Sequence, residues 1–178
     1  REVLRLAGHA NGINSLAMLG GRQRVVTAGE DHTARVWDIG PGRDQARLSV
    51  PSHGEGVARL AFSRDGMRLI TGGYDSVARV WDAKLGTRLA ELTGHRRWVS
   101  GVALLGDGKR AVTISQDGTG RIWDVATGQS LAELLGHDGE VWGLAVPGGG
   151  TRIVTAGLDS SVKIWDAATG ALLKSITV

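Results

Sequence analysis

The stretch Ser160-Ser161-Val162-Lys163-Ile164-Trp165-Asp166 alternates apolar and polar side chains before a Trp-Asp pair. Three further short runs end in the same pair, at Trp37-Asp38, Trp81-Asp82 and Trp123-Asp124. The four tryptophans are separated by 44, 42 and 42 residues. Because a fixed period of this length is typical of repeat architectures, the chain is predicted to contain four copies of one structural unit.

The composition is that of an ordinary globular protein. Of the 178 residues, 42% are hydrophobic and 22% are charged, which provides for a core and argues against a disordered or fibrous chain. No run of eighteen apolar residues occurs, so no membrane span is predicted. The absence of cysteine excludes disulfides and thiolate metal sites. A cytoplasmic location is expected.

The positive charge raises the question of nucleic-acid binding, since the net charge is +3 and the pI is about 9.8. Eight of the 21 basic residues, however, recur at two positions of the repeat. There the stems can lie on apolar surface while the heads reach water. These residues are Arg24, Arg68, Arg110 and Arg152, and Arg35, Arg79, Arg121 and Lys163. Arg96-Arg97 is the one basic cluster outside the pattern, so nucleic acid is an unlikely partner.

Each repeat contains four short strand-like stretches separated by turn residues. In the second repeat they are Val57 to Phe62, Leu69 to Gly73, Val77 to Asp82 and Arg88 to Leu92. No helical periodicity is visible, and the short turns predict antiparallel hairpins. The expected fold class is therefore all-β, with four-stranded antiparallel meanders.

Four residue types keep an unchanged spacing in every repeat. A Thr follows a His after 18 residues, an Asp follows after 4 more and a Trp after 6 more. The sets are His9, Thr27, Asp31 and Trp37; His53, Thr71, Asp75 and Trp81; His95, Thr113, Asp117 and Trp123; and His137, Thr155, Asp159 and Trp165. A catalytic triad uses Thr, His and Asp too, but an active site needs one set, whereas four copies indicate scaffolding.

These motifs resemble the WD40-repeat β-propeller family over essentially the whole chain. Gly-His near the repeat start, Thr-x-x-x-Asp in the middle and Trp-Asp at the end match that family's signature at a period of about 40 to 45 residues. The resemblance implies propeller blades, each with a hydrogen-bonded tetrad of Asp, His, Thr and Trp. The blades would span 8–51, 52–93, 94–135 and 136–178, and 1–7 would hold an outer strand, Glu2 to Leu6, of a preceding blade. Ser52 departs from the pattern by replacing the Gly before His53, which affects the local turn.

Positions that differ between the repeats are the candidates for partner binding. In the family, the face with the tight inner turn presents the residue before the tetrad Asp, and residues near the start of the first strand, to ligands. Carried over, these positions hold Asn14, Glu30, Arg59, Tyr74, Trp98, Gln116, Glu140, Trp142 and Leu158. Trp98 and Trp142 are the tryptophans outside Trp-Asp pairs, and aromatic side chains are common interface anchors. Packing between blades is the alternative for both.

Two glycine-rich stretches are interpreted as hairpin turns. Gly106-Asp107-Gly108-Lys109 lacks the spaced glycines and the following Ser or Thr of a phosphate-binding loop, and Pro147-Gly148-Gly149-Gly150 occupies the equivalent position. The histidines are the four of the repeat and His32, so no metal-ligand spacing remains. No catalytic residue, cofactor or metal is predicted.

The number of outer strands suggests an incomplete ring. Glu2 to Leu6 and Leu172 to Thr177 would give five outer strands for four inner sets, and the chain lacks an initiator Met. We expect either a fragment of a propeller of about seven or eight blades, or a half-ring whose homodimer closes an eight-bladed ring.

The expected function is a non-catalytic scaffold that binds proteins or peptides. Two alternatives stay open. One is a sensory or targeting propeller segment of a larger multidomain protein, such as one fused to an enzyme. The other, less favoured, is nucleic-acid binding through Arg96, Arg97 and the channel mouth.

Overall fold

The computed structural model describes residues 5–19, 24–39, 46–51 and 53–177. Within them, sixteen strands form four antiparallel sheets, each from four consecutive strands. The first sheet contains β1 (Ile13–Leu19), β2 (Arg24–Gly29), β3 (Thr33–Asp38) and β4 (Ala46–Pro51). The second contains β5 (Val57–Phe62), β6 (Arg68–Gly73), β7 (Ala78–Asp82) and β8 (Arg88–Leu92). The third contains β9 (Val99–Leu104), β10 (Arg110–Ser115), β11 (Gly120–Asp124) and β12 (Ser130–Leu134). The fourth contains β13 (Val141–Ala145), β14 (Arg152–Gly157), β15 (Ser161–Asp166) and β16 (Leu172–Thr177).

The predicted fold class, all-β with four-stranded antiparallel meanders, is confirmed. In the second repeat the strand ends differ from the prediction by at most one residue. The short 3-10 turn Gly148–Gly150 lies in the predicted glycine-rich hairpin. The strand predicted over Glu2 to Leu6 falls mainly on residues that are not described, and the described Arg5 and Leu6 lie outside any strand.

Each first strand carries a register irregularity near its start. One residue there has no partner on the second strand, and these residues are Asn14, Ala58, Ser100 and Trp142. A β-bulge of this kind re-aims a side chain. Asn14 Nδ2 donates to the carbonyl of Val57 at 3.1 Å, and Ser100 Oγ donates to the carbonyl of Val141. In the first and third sheets the bulge residue thus reaches the first strand of the following sheet.

The sheets pack face to face in chain order. β1 contacts β5, β5 contacts β9, and β9 contacts β13, whereas β1 and β13 are not among the extensively contacting strands of the described residues. Apolar clusters fill the spaces between successive sheets, and in each cluster the Trp of one sheet packs with residues of the preceding sheet. They include Val36, Leu69 and Trp81; Val80, Ala111 and Trp123; and Ile122, Ile153 and Trp165.

The two terminal sheets each present an apolar face to solvent. On the first sheet, Ile13, Leu16 and Met18 are exposed by 55%, 63% and 66%. On the fourth, Ile176 is exposed, and Val162 and Ile164 are only half-buried. The matching positions inside the array, such as Leu60 and Val36, are buried. Among the residues that the structure describes, nothing covers these two faces as the neighbouring sheets cover the inner ones.

Candidate functional site

Each predicted tetrad is brought within hydrogen-bonding distance. The His Nδ1 lies 2.8 to 3.0 Å from the Asp carboxylate, the His Nε2 lies 2.7 to 2.9 Å from Thr Oγ1, and the Trp Nε1 donates to the same Oγ1 at 2.8 to 2.9 Å. With Nδ1 protonated toward the carboxylate, the hydroxyl donates to Nε2 and accepts from the indole. The chain of bonds ties the turn after the second strand to the core of the sheet.

A fifth group joins three of the four tetrads. Thr33, Thr119 and Ser161 donate a hydroxyl to the tetrad carboxylate at 2.6 to 2.9 Å. In the second sheet this position is Val77, which has no hydroxyl, and Arg79 instead approaches the carboxylate of Asp75 at 2.7 Å. Sequence reasoning missed this hydroxyl group. A Thr or Ser two residues after the tetrad Asp in three of the four repeats could have indicated it.

The tetrad aspartates are held in the ionised form. Burial raises the pKa of Asp31, but hydrogen bonds from Thr33, the Ala10 N–H and His9 outweigh it and lower the pKa to about 2. Burial likewise raises the pKa values of Asp75, Asp117 and Asp159. Hydrogen bonds from the tetrad His and from adjacent groups outweigh burial and hold these pKa values well below their ordinary range.

The tetrads are buried too deeply for nucleophilic chemistry. Thr71 and Thr113 have no accessible surface, and each oxygen already bonds His and Trp. A nucleophile must reach its substrate, so these sets are suited to holding the sheets in shape.

The basic residues two places before each tetrad Trp depart from the expectation that their heads lie in water. Arg79 faces Glu91 across the strand pair, Arg121 faces Glu133, and Lys163 faces Ser175. Arg121 lies 2.8 Å from the carboxylate of Glu133, and Lys163 donates to Ser175 Oγ at 2.9 Å. The expectation was wrong because the outer strand places a polar partner directly opposite each head.

Backbone hydrogen bonds connect the predicted turn positions to the start of the first strand in each sheet. The N–H of each residue before the tetrad Asp donates to the carbonyl of the residue just before the first strand of the same sheet. These bonds join Glu30 to Gly12, Tyr74 to Gly56, Gln116 to Trp98 and Leu158 to Glu140, at 2.8 to 3.1 Å. In the third and fourth sheets the two kinds of predicted position therefore lie side by side, whereas in the first two sheets the bonded partner is a glycine that was not predicted.

An open cleft lies at the junction of the first three sheets. Glu30 comes from the first sheet, Glu55, Gly56 and Tyr74 from the second, and Trp98 from the third. We call this the aromatic cleft; its volume is about 430 Å³. The Tyr74 and Trp98 rings meet edge to face with centroids 4.5 Å apart. A Cβ at Gly56 would lie 3.0 Å from Tyr74 Cδ2, so the glycine makes room for the ring.

An adjoining cleft of about 510 Å³ shares Glu55, Tyr74 and Trp98 with the aromatic cleft. Its charged lining residues are Glu55, Arg96, Arg97 and Glu140. Arg97 forms an ion pair with Glu140 at 2.8 Å, and the Trp142 indole N–H donates to the same carboxylate group at 3.1 Å. Of the pair considered for nucleic acid, Arg97 is thus engaged within the protein.

The other predicted positions vary in exposure. Leu158 is 68% exposed and Trp142 is 42% exposed. Gln116 is buried, Asn14 is bonded to the next sheet, and Arg59 donates to the carbonyl of Ala58. Glu55, which sequence reasoning missed, lies in the loop before β5 and carries no repeated motif that could have marked it.

The described residues contain neither a cluster of metal-binding side chains nor a helix that could span a membrane. No group of three or more His, Asp or Glu side chains there is arranged to hold a metal ion. No helix in that part of the chain has the length and apolar character needed to cross a membrane.

The comparison with protein families agrees with this geometry. The family model described as WD domain, G-beta repeat matches residues 1–38, 45–82, 86–124 and 128–166. Each of the last three matches begins before an outer strand of one sheet and ends with the third strand of the next, so the sequence repeat is out of phase with the sheet. No curated protein matches the chain. The matched residues make up most of its length, and the chain belongs to the WD40-repeat family.

Proposed function

We propose that this protein is a non-catalytic interaction scaffold that binds proteins or peptides through the rim around the aromatic cleft. WD40 repeats generally serve as protein-interaction scaffolds. The tetrads fix the turns that carry the rim residues, so little ordering is needed on binding.

One observation carries the proposal: an aromatic pair from two sheets, the half-buried Tyr74 and the exposed Trp98, lines an open cleft. Trp98 is 45% exposed although it contacts Tyr74. Aromatic side chains are enriched among the residues that dominate binding energy, and concave sites suit ligand side chains. The surrounding rim offers charged groups of both signs, which can set specificity.

The test is a selection of binders from a random peptide library displayed on phage, followed by affinity measurement with variants. We expect Trp98→Ala to weaken the selected peptides about tenfold or more, as is common for a central aromatic anchor. Leu85→Ala is the matched control, because Leu85 is 66% exposed in a hairpin loop away from the cleft. Equal binding to the wild type and to both variants would show that the rim is not the site.

We propose in addition that the two terminal apolar faces are covered by a second copy of the chain, in an eight-bladed homodimer, which is one of the two arrangements expected from sequence. The support is complementarity. The first sheet presents Leu16 at the position where the second sheet packs Leu60, and the fourth presents Ile164 where the first packs Val36. Head-to-tail contact between two copies would repeat an interface that the chain already makes internally.

Trp142 fits the same arrangement. It occupies the bulge position of the fourth sheet, at which Asn14 and Ser100 reach the next sheet. A second copy would place its first sheet there. Trp142 would then be an inter-sheet contact, the alternative considered for it from sequence.

A further inference from the structure

We propose that the aromatic cleft binds the side chain of an arginine from a partner peptide. This inference rests on the proposed function and adds the chemistry that the site selects. It follows from the charge, the ring surfaces and the shape of the cleft.

The charge of the cleft is one-sided. Its described lining contains two carboxylates, Glu30 and Glu55, and no basic side chain. Both glutamates are exposed, so a bound cation would meet them at the entrance without a large desolvation cost. Arg96 lines only the adjoining cleft, and Arg97 is paired there with Glu140. A cationic group would therefore be favoured in the aromatic cleft.

The ring surfaces favour the same ligand. Cations are attracted to the faces of Trp and Tyr rings, and Trp is the strongest of these partners. The edge-to-face contact of Tyr74 and Trp98 fixes the two rings at an interplanar angle of 68°. The wall they form is held in place by this contact before any ligand arrives.

Arginine fits better than lysine because its planar guanidinium can stack on a ring while its N–H groups reach carboxylates in the same plane. A lysine ammonium is a compact, strongly hydrated charge and has no plane to stack. The volume of about 430 Å³ holds one long side chain together with part of its backbone. Glu30 and Glu55, which line the same cleft as the rings, supply the acceptors for these N–H groups in this proposal.

The test uses small probes and the intact chain. N-acetyl-arginine amide, N-acetyl-lysine amide and N-acetyl-citrulline amide are titrated at equal ionic strength, and the Trp98 indole N–H signal is followed by NMR. Its assignment comes from the signal lost in Trp98→Phe. Citrulline keeps the shape of arginine without the charge. We expect arginine to bind about five- to tenfold more tightly than citrulline, as a partly exposed cation–π contact with a nearby carboxylate allows, and more tightly than lysine.

Variants separate the two glutamates from general charge effects. Glu55→Gln and Glu30→Gln are each expected to weaken arginine about threefold and leave citrulline unchanged, since each removes one exposed attraction. Asp138→Asn removes the same charge from an exposed residue in the fourth sheet's entry loop and should change neither. Far-UV circular dichroism and melting curves check that each variant is folded.

The results that would overturn the arginine proposal differ from those that would overturn the proposed scaffold function. Equal binding of arginine and citrulline, or lysine binding at least as tightly as arginine, overturns the arginine assignment. If selected library peptides lose affinity in Trp98→Ala but show no arginine preference, the scaffold function stands and this inference fails. If Trp98→Ala leaves those peptides unaffected, the scaffold function fails at its own test.

Discussion

At the residue scale, the tetrad aspartates are the groups on which each turn depends. Asp117 accepts hydrogen bonds from His95, from the Thr119 hydroxyl at 2.6 Å, and from the N–H groups of Arg96 and Thr119. Asp117→Ala leaves these donors without their acceptor, which we expect to cost about 2 to 4 kcal/mol of unfolding free energy. Urea unfolding measures this. Asp138→Ala is the control, and a loss for Asp117→Ala as small as that of the control would contradict the role.

The same residues predict how stability depends on pH. Burial raises the pKa of Asp31, but its hydrogen bonds outweigh burial and lower the pKa to about 2. The pKa values of Asp75, Asp117 and Asp159 are lowered as well. An unfolded Asp has a pKa of about 4. A carboxyl whose folded pKa is depressed contributes its stability fully above the unfolded pKa, and the contribution is lost as pH falls toward the folded pKa.

Protonation of a tetrad histidine also lowers the stability, and it does so at a higher pH than protonation of the aspartates. Burial lowers the pKa of His53, against the opposing effect of Asp75. The unfolded chain therefore takes up a proton near pH 6.5 more readily than the folded one, and stability falls as pH drops below that value. We expect the melting temperature to decline modestly from pH 7 to pH 5 and steeply below pH 4. An unchanged melting temperature between pH 7 and pH 3 would contradict both assignments.

Sequence reasoning located the tetrads because their spacing does not vary, and it missed what lies between repeats. Glu55 enters the aromatic cleft from a loop of the second sheet while its neighbours come from the first and third. That proximity depends on how successive sheets pack. No period in the sequence encodes it for a residue that occurs once.

At the scale of the strand, the turn residues indicate in the sequence where each strand ends. The sequence does not indicate the register in which neighbouring strands pair. Strand ends were predictable because Gly and Asp turn residues interrupt the alternating pattern. The bulges at Asn14, Ala58, Ser100 and Trp142 were not, since a bulge is a property of pairing between two strands. The four residues differ in type, so nothing in their chemistry marked the shared position.

A pair of substitutions tests what the bulge contributes. Ser100 is buried and donates to the carbonyl of Val141 in the next sheet. Ser100→Ala removes the donor and is expected to cost about 1 kcal/mol. Ala58 holds the same position in the second sheet without a donor. Ala58→Ser is expected to be neutral or to stabilise by up to about 1 kcal/mol. Urea unfolding of both variants checks this, and equal destabilisation by the two changes would refute the inter-sheet role.

At the scale of the whole molecule, the repeat explains both the interior and the terminal faces. Each inner sheet buries its two faces against neighbours, as in repeat arrays, where each unit contacts only adjacent units. Among the described residues, the first and fourth sheets each pack extensively on one neighbour, and their remaining faces keep the apolar residues of the common pattern. Exposed apolar faces are common at interaction surfaces, which supports the proposal that a second copy covers them.

The proposal that a second copy covers the terminal faces predicts the mass of the protein in solution. It also predicts that a substitution on one of these faces lowers that mass. The chain is 18.7 kDa, so sedimentation equilibrium should give twice this mass. Leu16→Glu places a charge where an apolar partner face would pack, and burying an unpaired charge is costly, so this variant should sediment as a monomer. Leu85→Glu makes the same change at a residue of similar exposure, 66% against 63%, in a hairpin loop, and should stay dimeric. A wild-type chain that remains at 18.7 kDa across the accessible concentration range would overturn the dimer, because its two complementary faces would then have no affinity for each other.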